Sequence, residues 1–221
     1  MFPWWAFLVK GRFPTIAFMG IRVSLLCFSR LGLACGLVLK GLTMRLFVGL
    51  SVTDDIRQSL SALASGLDGA SWVKPESLHL TLRFVGDVST RDAVDLDTAL
   101  SSIMEPTFAL RCLGLGHFGS GDKLRAIWAG VAQSKGLSRL QGKVERAAFS
   151  AGFRDKGRKF KPHITLARFR SRKSQNLGDY LIANGAFSTV PFPVTSFTLF
   201  ESHMGHGGSH YIPLNAYSLT P

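Results

Sequence analysis

The feature that most constrains this fold is a short motif that occurs twice. The segment SLHLTLRFVGDV is echoed downstream by KPHITLARF, and each contains His-x-Thr-Leu inside an apolar run. Residues two apart on a β-strand point to the same face, about 6.6 Å from each other. His79 and Thr81 therefore share one face of a predicted strand, and His163 and Thr165 share one face of another. The alternating apolar residues on the opposite face would anchor each strand in a core.

The two motifs predict chemistry because they match. A single histidine on a strand is usually a surface residue or a hydrogen-bonded core residue. His79 and His163, 84 positions apart, repeat the same pattern of His, Thr and Leu, so coincidence explains them poorly. If two lobes pack about a pseudo-twofold axis, the two pairs face each other across a cleft. That arrangement suits an anion held between two proton-transfer groups.

Strands and helices alternate on both sides of these motifs. Strand patterns include the two motifs and two runs joined by a turn at Gly119 to Asp122, and further strands begin and end the region from Met44 onward. Four amphipathic patterns predict helices in residues 53–67, 89–103, 134–153 and 174–184. We predict an α+β class: a two-lobed duplicated fold with antiparallel sheets facing a central cleft and helices outside.

Composition bounds the partner and the compartment. The hydrophobic fraction of 46% and the 17 Phe predict a folded domain, and the net charge of +12 predicts a polyanionic partner. Charge alone leaves nucleic acid, anionic membrane and phosphorylated small molecules open. The three cysteines have neither CxxC spacing nor the density of a disulfide scaffold, which favours a reducing compartment, and we expect the cytoplasm.

The first 43 residues differ from the rest because they contain five basic residues and no Asp or Glu. Charges interrupt their apolar runs well short of the ~18 residues that a membrane-spanning helix needs, so we expect no stable membrane association. We divide the chain into residues 1–43, a basic apolar N-terminal extension, and residues 44–221, the two-lobed domain. We interpret the extension as lying upstream of the natural start, with a targeting role as the alternative.

The pair HLTLRFVGDV and KPHITLARF resembles the signature of the two-histidine phosphoesterase superfamily. Within it, the chain is most similar to the RNA 2',3'-cyclic phosphodiesterases of bacteria and archaea, also called 2'-5' RNA ligases. The similarity extends to MRLFVGL, WVKPESLHLTLRFVGDV, LRAIWAGV and the closing LFESH and GGSHYIPLNAYSL segments, from Met44 to about Leu219. One departure is the His-rich ESHMGHGGSH, where the ordinary loop geometry of the family is not assumed.

The resemblance implies hydrolysis of RNA 2',3'-cyclic phosphate ends to 2'-phosphomonoesters. It makes His79 the proton donor and His163 the proton acceptor, two roles that the sequence alone does not assign. Because imidazole titrates near pH 6.5, we expect one neutral and one protonated histidine near neutrality. Thr81 and Thr165 would donate hydrogen bonds to the nonbridging phosphate oxygens. These groups fill every role, so we expect no metal and no other cofactor.

Residues around the second motif are candidates for binding the substrate. The segment from Arg154 to Lys173, called the basic lip below, is rich in Lys and Arg and would attract an RNA backbone. We expect Lys161 to bind substrate, and Phe160 either to stack on a terminal base or to pack in the core. Arg125 is a further candidate, since LRAIWAGV matches a strand that borders the cleft in the family.

Three alternatives stay open. The same two histidines would serve a 2'-5' RNA ligase that joins a cyclic phosphate end to a 5'-hydroxyl end. A noncatalytic RNA-binding protein would retain the fold and the basic lip. The third alternative is a metal site at His203, His206 and His210, for which Glu201 is the only carboxylate at a usual spacing. We expect the partner to be RNA with a 2',3'-cyclic phosphate terminus, bound by a monomer.

Overall fold

The structure is a computed structural model that describes residues 43–154, 159–169, 176–205 and 208–221. Its helices are α1 (Asp54–Ser61), α2 (Thr90–Ser101), α3 (Lys135–Ser150) and α4 (Leu177–Asn184). Its strands are β1 (Thr43–Ser51), β2 (Ala70–Trp72), β3 (His79–Ser89), β4 (Phe108–Leu110), β5 (Cys112–Phe118), β6 (Ala126–Val131), β7 (His163–Phe169), β8 (Phe192–Val194), β9 (Ser196–Gly205) and β10 (Gly208–Ser218). Short 3-10 turns precede β3 and β6.

Eight strands of the described residues form one sheet in the order β10-β9-β1-β3-β7-β6-β5, and β2 also pairs with β7. All of these pairings are antiparallel. β4 and β8 form a separate two-stranded sheet. We call β10, β9, β1 and β3 the first lobe, and β2, β7, β6 and β5 the second lobe.

The two lobes meet at a single residue pair between β3 and β7, Leu80 opposite Ile164. The pairing of β1 with β3, in contrast, runs from Thr43 to Ser51 along the whole of β1. Beyond the joint, β7 pairs with β2 instead of β3, from Ala167 to Phe169. β3 and β7 therefore touch where their motifs begin and pair with other strands on either side.

The hydrophobic core lies against one face of the sheet. All four helices contribute buried side chains to it, and so do the alternate strand residues Val48, Leu80, Ile127 and Ile164. The motif histidines and threonines occupy the other positions of the alternation and so lie on the opposite face. Burial of one face fixes the strand register, because a slip of one residue would exchange the two faces.

The α+β prediction is confirmed, and each predicted helix is present. The lobes, however, are not the two halves of the sequence. β5 and β6 precede α3 in the chain but lie beside β7, while the C-terminal β9 and β10 lie beside β1. The predicted strand at residues 108–119 is interrupted at Arg111, and its first part pairs with β8. None of the described helices has the length and apolar composition that a membrane span requires.

Candidate active site

The joint between β3 and β7 brings the two motifs together. Leu80 and Ile164 are directly opposed and almost fully buried, 2% and 0% exposed. In an antiparallel register this pairing sets His79 across from Thr165 and Thr81 across from His163. All four side chains project from the face opposite the core. A local twofold axis through the Leu80–Ile164 pair therefore relates the two His-Thr pairs, as the repeated motif predicts.

The imidazole of His79 is held by its own strand and by aromatic rings of the first lobe. Its Nδ1 donates a hydrogen bond to the Ser77 carbonyl oxygen at 2.8 Å, and its Nε2 lies 3.1 Å from Thr81 Oγ1. The rings of Phe47 and Tyr211 each lie 4.8 Å from its centre, and Tyr211 meets it edge-on. A carbonyl accepts only from a protonated Nδ1, so in the neutral ring Nε2 carries the lone pair.

The imidazole of His163 is held in the same way by the second lobe. Its Nδ1 donates to the Lys161 carbonyl oxygen at 2.6 Å. The Phe118 ring meets it edge-on at 4.9 Å, and the Trp128 ring lies at 5.9 Å. Each histidine thus bonds through Nδ1 to the carbonyl two residues before it, so Nε2 is the atom that can reach a ligand or a proton, although that of His79 also contacts the Thr81 hydroxyl.

The strands beside the two motifs, β1 and β6, also share a sequence pattern. Phe47 and Gly49 on β1 have the same spacing as Trp128 and Gly130 on β6, but their registers differ by two residues, because Gly49 pairs with Thr81 whereas Gly130 pairs with His163. A Cβ at Gly49 would lie 2.9 Å from the Leu80 carbonyl oxygen, and one at Gly130 would lie 2.5 Å from that of Leu113. Glycine at both positions lets the neighbouring backbone approach closely. This aromatic-x-Gly repeat is visible in the sequence, but sequence reasoning missed it.

A register shift follows each motif and brings one further side chain to the motif face. β3 carries an extra residue between the partners of Val48 and Gly49, and β7 carries one between the partners of Ile127 and Trp128. Such β-bulges re-aim the side chains that follow them. Phe84 consequently stacks on the Phe47 ring at 5.6 Å while 51% exposed.

Arg168 occupies the position in β7 that corresponds to Phe84 in β3. It is exposed and pairs with Ala126, which alternates with Trp128 on the motif face of β6. Its positive charge acts on both histidines. Sequence reasoning included Arg168 only as one of many basic residues of the lip and did not single it out.

Burial sets the protonation state of both histidines. It lowers the pKa of His79 to about 4, against a hydrogen bond to Ser77 that raises it, and the charges of Arg168 and His163 lower it further. Burial also lowers the pKa of His163, against a hydrogen bond to Lys161 that raises it, with the charges of Lys161 and Arg168 acting in the same direction as burial. Both imidazoles are therefore neutral at pH 7 in the ligand-free protein, so the expectation of one protonated histidine does not hold there.

The other predicted substrate contacts lie in different surroundings. Lys161 is exposed, and its ammonium lies 4.3 Å from the centre of the Trp128 ring. Phe160 is half-buried and packs against the core. Arg125 is exposed just before β6, where its backbone bonds to that of Phe118 and Phe169. If the alternation of β6 continued to Arg125, its side chain would lie on the core face of the sheet, whereas Trp128 lies on the motif face. Its substrate role stays a prediction.

Much of the basic lip, residues 155–158 and 170–173, lies outside the described residues, as does His206. His203 and His210 are opposed across β9 and β10, and His203 Nε2 lies 3.2 Å from a carboxylate oxygen of Glu201. Within the described ranges, no group of three or more His, Cys, Asp or Glu residues is arranged to hold a metal ion. The described part of this hairpin therefore gives the alternative metal site no support.

Comparison with known proteins points to one family. The family described as LigT like phosphoesterase matches residues 50–128 and 130–211. The chain is 32% identical to an RNA 2',3'-cyclic phosphodiesterase of Archaeoglobus fulgidus, over 79% of this chain and 99% of that protein. It is 31% identical to the enzyme of that name from Escherichia coli, over 80% of this chain and 97% of that protein.

A solved structure agrees with these sequence relationships. The crystal structure of E. coli LigT complexed with 3'-AMP superposes with a TM-score of 0.67 at 27% identity, over 81% of this chain and 99% of that chain. The same protein has been crystallised with phosphate, and that structure superposes with a TM-score of 0.62. The family match, over residues 50–128 and 130–211, includes both motifs of this chain.

Proposed function

This chain belongs to the LigT-like phosphoesterase family, and on that premise we propose that it hydrolyses RNA 2',3'-cyclic phosphate ends to 2'-phosphomonoesters. The observation that carries the proposal is the local twofold arrangement of two His-Thr pairs on the open face of the sheet. The names of the relatives, RNA 2',3'-cyclic phosphodiesterases, support the same substrate. The E. coli structures with 3'-AMP and with phosphate support a phosphate-binding cleft.

The twofold arrangement suits an in-line displacement at phosphorus. Water attacks from one side of the phosphate and the ribose 3' oxygen leaves from the other, so a base and an acid are needed on opposite sides. In our proposal His163 Nε2 takes the proton of the attacking water, and His79 Nε2 protonates the departing oxygen. One P–O bond forms, the P–O3' bond breaks, and the phosphate remains on the 2' oxygen.

The hydroxyls and the nearby cation stabilise the charge that develops on the phosphate. Thr81 and Thr165, one beside each histidine, would donate hydrogen bonds to the nonbridging oxygens. Arg168, on the same face, adds a positive charge that both histidines experience. These groups fill the roles of acid, base and charge stabiliser, so the proposed reaction needs no metal ion.

The acid must obtain its proton when the substrate binds, since both histidines are neutral beforehand. A cyclic phosphodiester carries one negative charge, and a negative charge beside an imidazole favours its protonated form. Substrate binding therefore raises the pKa of the histidines that burial and Arg168 lower in the free protein. In this proposal, a histidine becomes the protonated catalytic acid when the negatively charged substrate binds.

Side chains at the rim of the cleft would hold the rest of the RNA. The exposed ring of Phe84, stacked on Phe47, offers a face to the terminal base. Arg125, Lys161 and the basic lip were expected from the sequence to bind the RNA backbone, and we retain them as proposed substrate contacts. Phe160 is proposed to support the core, because it is half-buried there.

The proposal is tested with an oligoribonucleotide that ends in a 2',3'-cyclic phosphate, incubated with the protein in the presence of a chelator. We expect a 2'-phosphomonoester product, identified by its resistance to a 3'-phosphatase. A 5'-hydroxyl oligoribonucleotide in the same reaction would reveal ligation, and a faster joined product would favour the ligase. Binding without turnover would favour the noncatalytic alternative, and activity restored only by a divalent ion would refute the metal-free mechanism.

We also propose that residues 44–221 act as a monomeric cytoplasmic enzyme without help from residues 1–43. The antiparallel pairing of β1, which begins at Thr43, supports this division. A chain that starts at Met44 should keep full activity and elute as a monomer in size-exclusion chromatography. An insoluble or inactive shortened chain would contradict the division.

A further inference from the structure

Lys161 is tied to His163 through both its backbone and its side chain. Its carbonyl oxygen accepts the hydrogen bond from His163 Nδ1 at 2.6 Å. Its ammonium lies 4.3 Å from the centre of the Trp128 ring and 5.7 Å from that of the Phe118 ring, and both rings contact the His163 imidazole. Cation–π attraction therefore holds a positive charge on the wall that surrounds this histidine.

The local twofold axis relates Lys161 to Ser77, because each lies two residues before its histidine. The Ser77 carbonyl oxygen accepts the hydrogen bond from His79 Nδ1 at 2.8 Å, as Lys161 does for His163. Ser77 is uncharged and buried, however, so nothing at that position adds charge beside His79. The backbone contact is conserved between the half-sites, while the charge is present in only one.

The fixed charge of Arg168 does not separate the two histidines, although His163, when protonated, lowers the pKa of His79. Arg168 of β7 lowers the pKa of both, and His79 and His163 face each other across the joint of β3 and β7. Lys161 contributes to the lowering for His163 but is not among the causes for His79. The remaining neighbours of His163 on β5 and β6, Phe118 and Trp128, carry no charge.

We propose that Lys161 is the positioning residue that makes His163 the proton acceptor, because its ammonium disfavours a proton on His163 and leaves His79 free to carry one. This inference rests on the proposed function, in which one histidine must be neutral and the other protonated. Lys161 would have this task in addition to the RNA contact expected from the sequence.

In the ligand-free protein, burial opposes this assignment. It disfavours a proton on His79 and is the largest cause that lowers the pKa of this histidine to about 4. A bound phosphate changes that balance. A hydrogen bond from Nε2 to an anionic oxygen replaces the solvation that burial removes from His79. The same phosphate also acts on His163, but there the charge of Lys161 persists and opposes protonation. In the complex, the charge of Lys161 is then what makes a proton less favourable on His163 than on His79.

The test removes the charge with Lys161→Gln and retains it with Lys161→Arg. Lys135→Gln is the matched control, because Lys135 is an exposed lysine at the start of α3, outside the basic lip. The pH dependence of kcat is measured for each protein on the cyclic phosphate oligoribonucleotide. In parallel, the imidazole C–H signals of His79 and His163 are titrated by NMR in the ligand-free proteins.

In Lys161→Gln the NMR midpoint of His163 should move to higher pH while that of His79 stays in place. The acidic limb of the kcat profile should move to higher pH as well, because the base becomes protonated earlier on acidification. The ratio of kcat at pH 5 to kcat at pH 7 should fall, and the alkaline limb should not move. Lys161→Arg and Lys135→Gln should match the unmodified protein in both measurements.

A shift of the alkaline limb instead would mean that His163 is the acid and would overturn the proposal. It would likewise be overturned by an unchanged His163 midpoint, or by an equal shift of His79. Failure of the proposed function is a separate result: the unmodified protein would then not hydrolyse the substrate at all. The NMR comparison would still decide whether Lys161 selectively disfavours a proton on His163.

Discussion

The two half-sites of this protein are alike in backbone and different in charge. Each has a His-x-Thr strand, an Nδ1 hydrogen bond to the carbonyl two residues earlier, an aromatic-x-Gly segment beside it and a bulge after it. The first lobe adds rings, Phe84 and Tyr211, whereas the second lobe adds cations, Lys161 and Arg168. In our proposal the shared features bind one phosphate symmetrically, and the differences give each half-site its own task.

The largest effects should come from breaking what the half-sites share. His79→Ala and His163→Ala should each lower kcat by about 10²- to 10⁴-fold, as expected for proton-transfer groups. The double variant should lose far less than the product of the two, because the histidines act as a unit. Steady-state kinetics would check this, with His117→Ala, an exposed histidine on β5, as the control. Near-normal activity in either single variant would remove that histidine from the mechanism.

Loss of one shared hydroxyl should cost less. Thr81→Val and Thr165→Val should lower kcat by about 10- to 10³-fold, because each removes one donor to a developing negative charge. Thr81→Ser and Thr165→Ser keep the hydroxyl and should recover most of the rate. The two sites should respond alike if the half-sites are equivalent. A large loss at one threonine and none at the other would show that only one half-site contacts the nonbridging oxygens.

The differing residues should affect different kinetic constants. Arg168→Gln should lower kcat by about tenfold or more, since its charge acts where the reaction is proposed to occur, and Arg168→Lys should lose less.

Phe84→Ala should raise KM by about 5- to 150-fold, the range for loss of one base-stacking contact. Phe149→Ala removes a similarly exposed ring on α3, 58% against 51% for Phe84, and is the control. If both variants altered only KM, the second lobe would have no special part in the chemistry.

The pH dependence should differ between kcat/KM and kcat. The profile of kcat/KM reflects the free protein, where burial lowers the pKa of His79 to about 4 and also lowers that of His163. The profile of kcat reflects the complex, where we propose that the bound anion raises the pKa of both histidines. The alkaline limb of kcat should therefore lie at higher pH than the alkaline limb of kcat/KM. Coinciding limbs would mean that the substrate does not supply the acid with its proton.

The sequence predicted that each motif places its His and Thr on one face of a strand, because strand alternation and a repeated motif report local geometry. It did not predict the bulges, since Leu82-Arg83 and Leu166-Ala167 do not reveal which residue is extra. Nor did it predict that β9 would pair with β1, because pairing between the chain's distant segments leaves no local signal. The position of Lys161 over the rings of Phe118 and Trp128 likewise arises only when three separate segments meet.

A crystal structure with a 2'-phosphomonoester nucleotide, the proposed product, tests the central claim most directly. The account predicts that both Nε2 atoms, of His79 and His163, lie within about 3.2 Å of oxygens of one phosphate. The hydroxyls of Thr81 and Thr165 should contact its nonbridging oxygens. A phosphate bound by only one of the two half-sites, or seated away from the joint of β3 and β7, would contradict it.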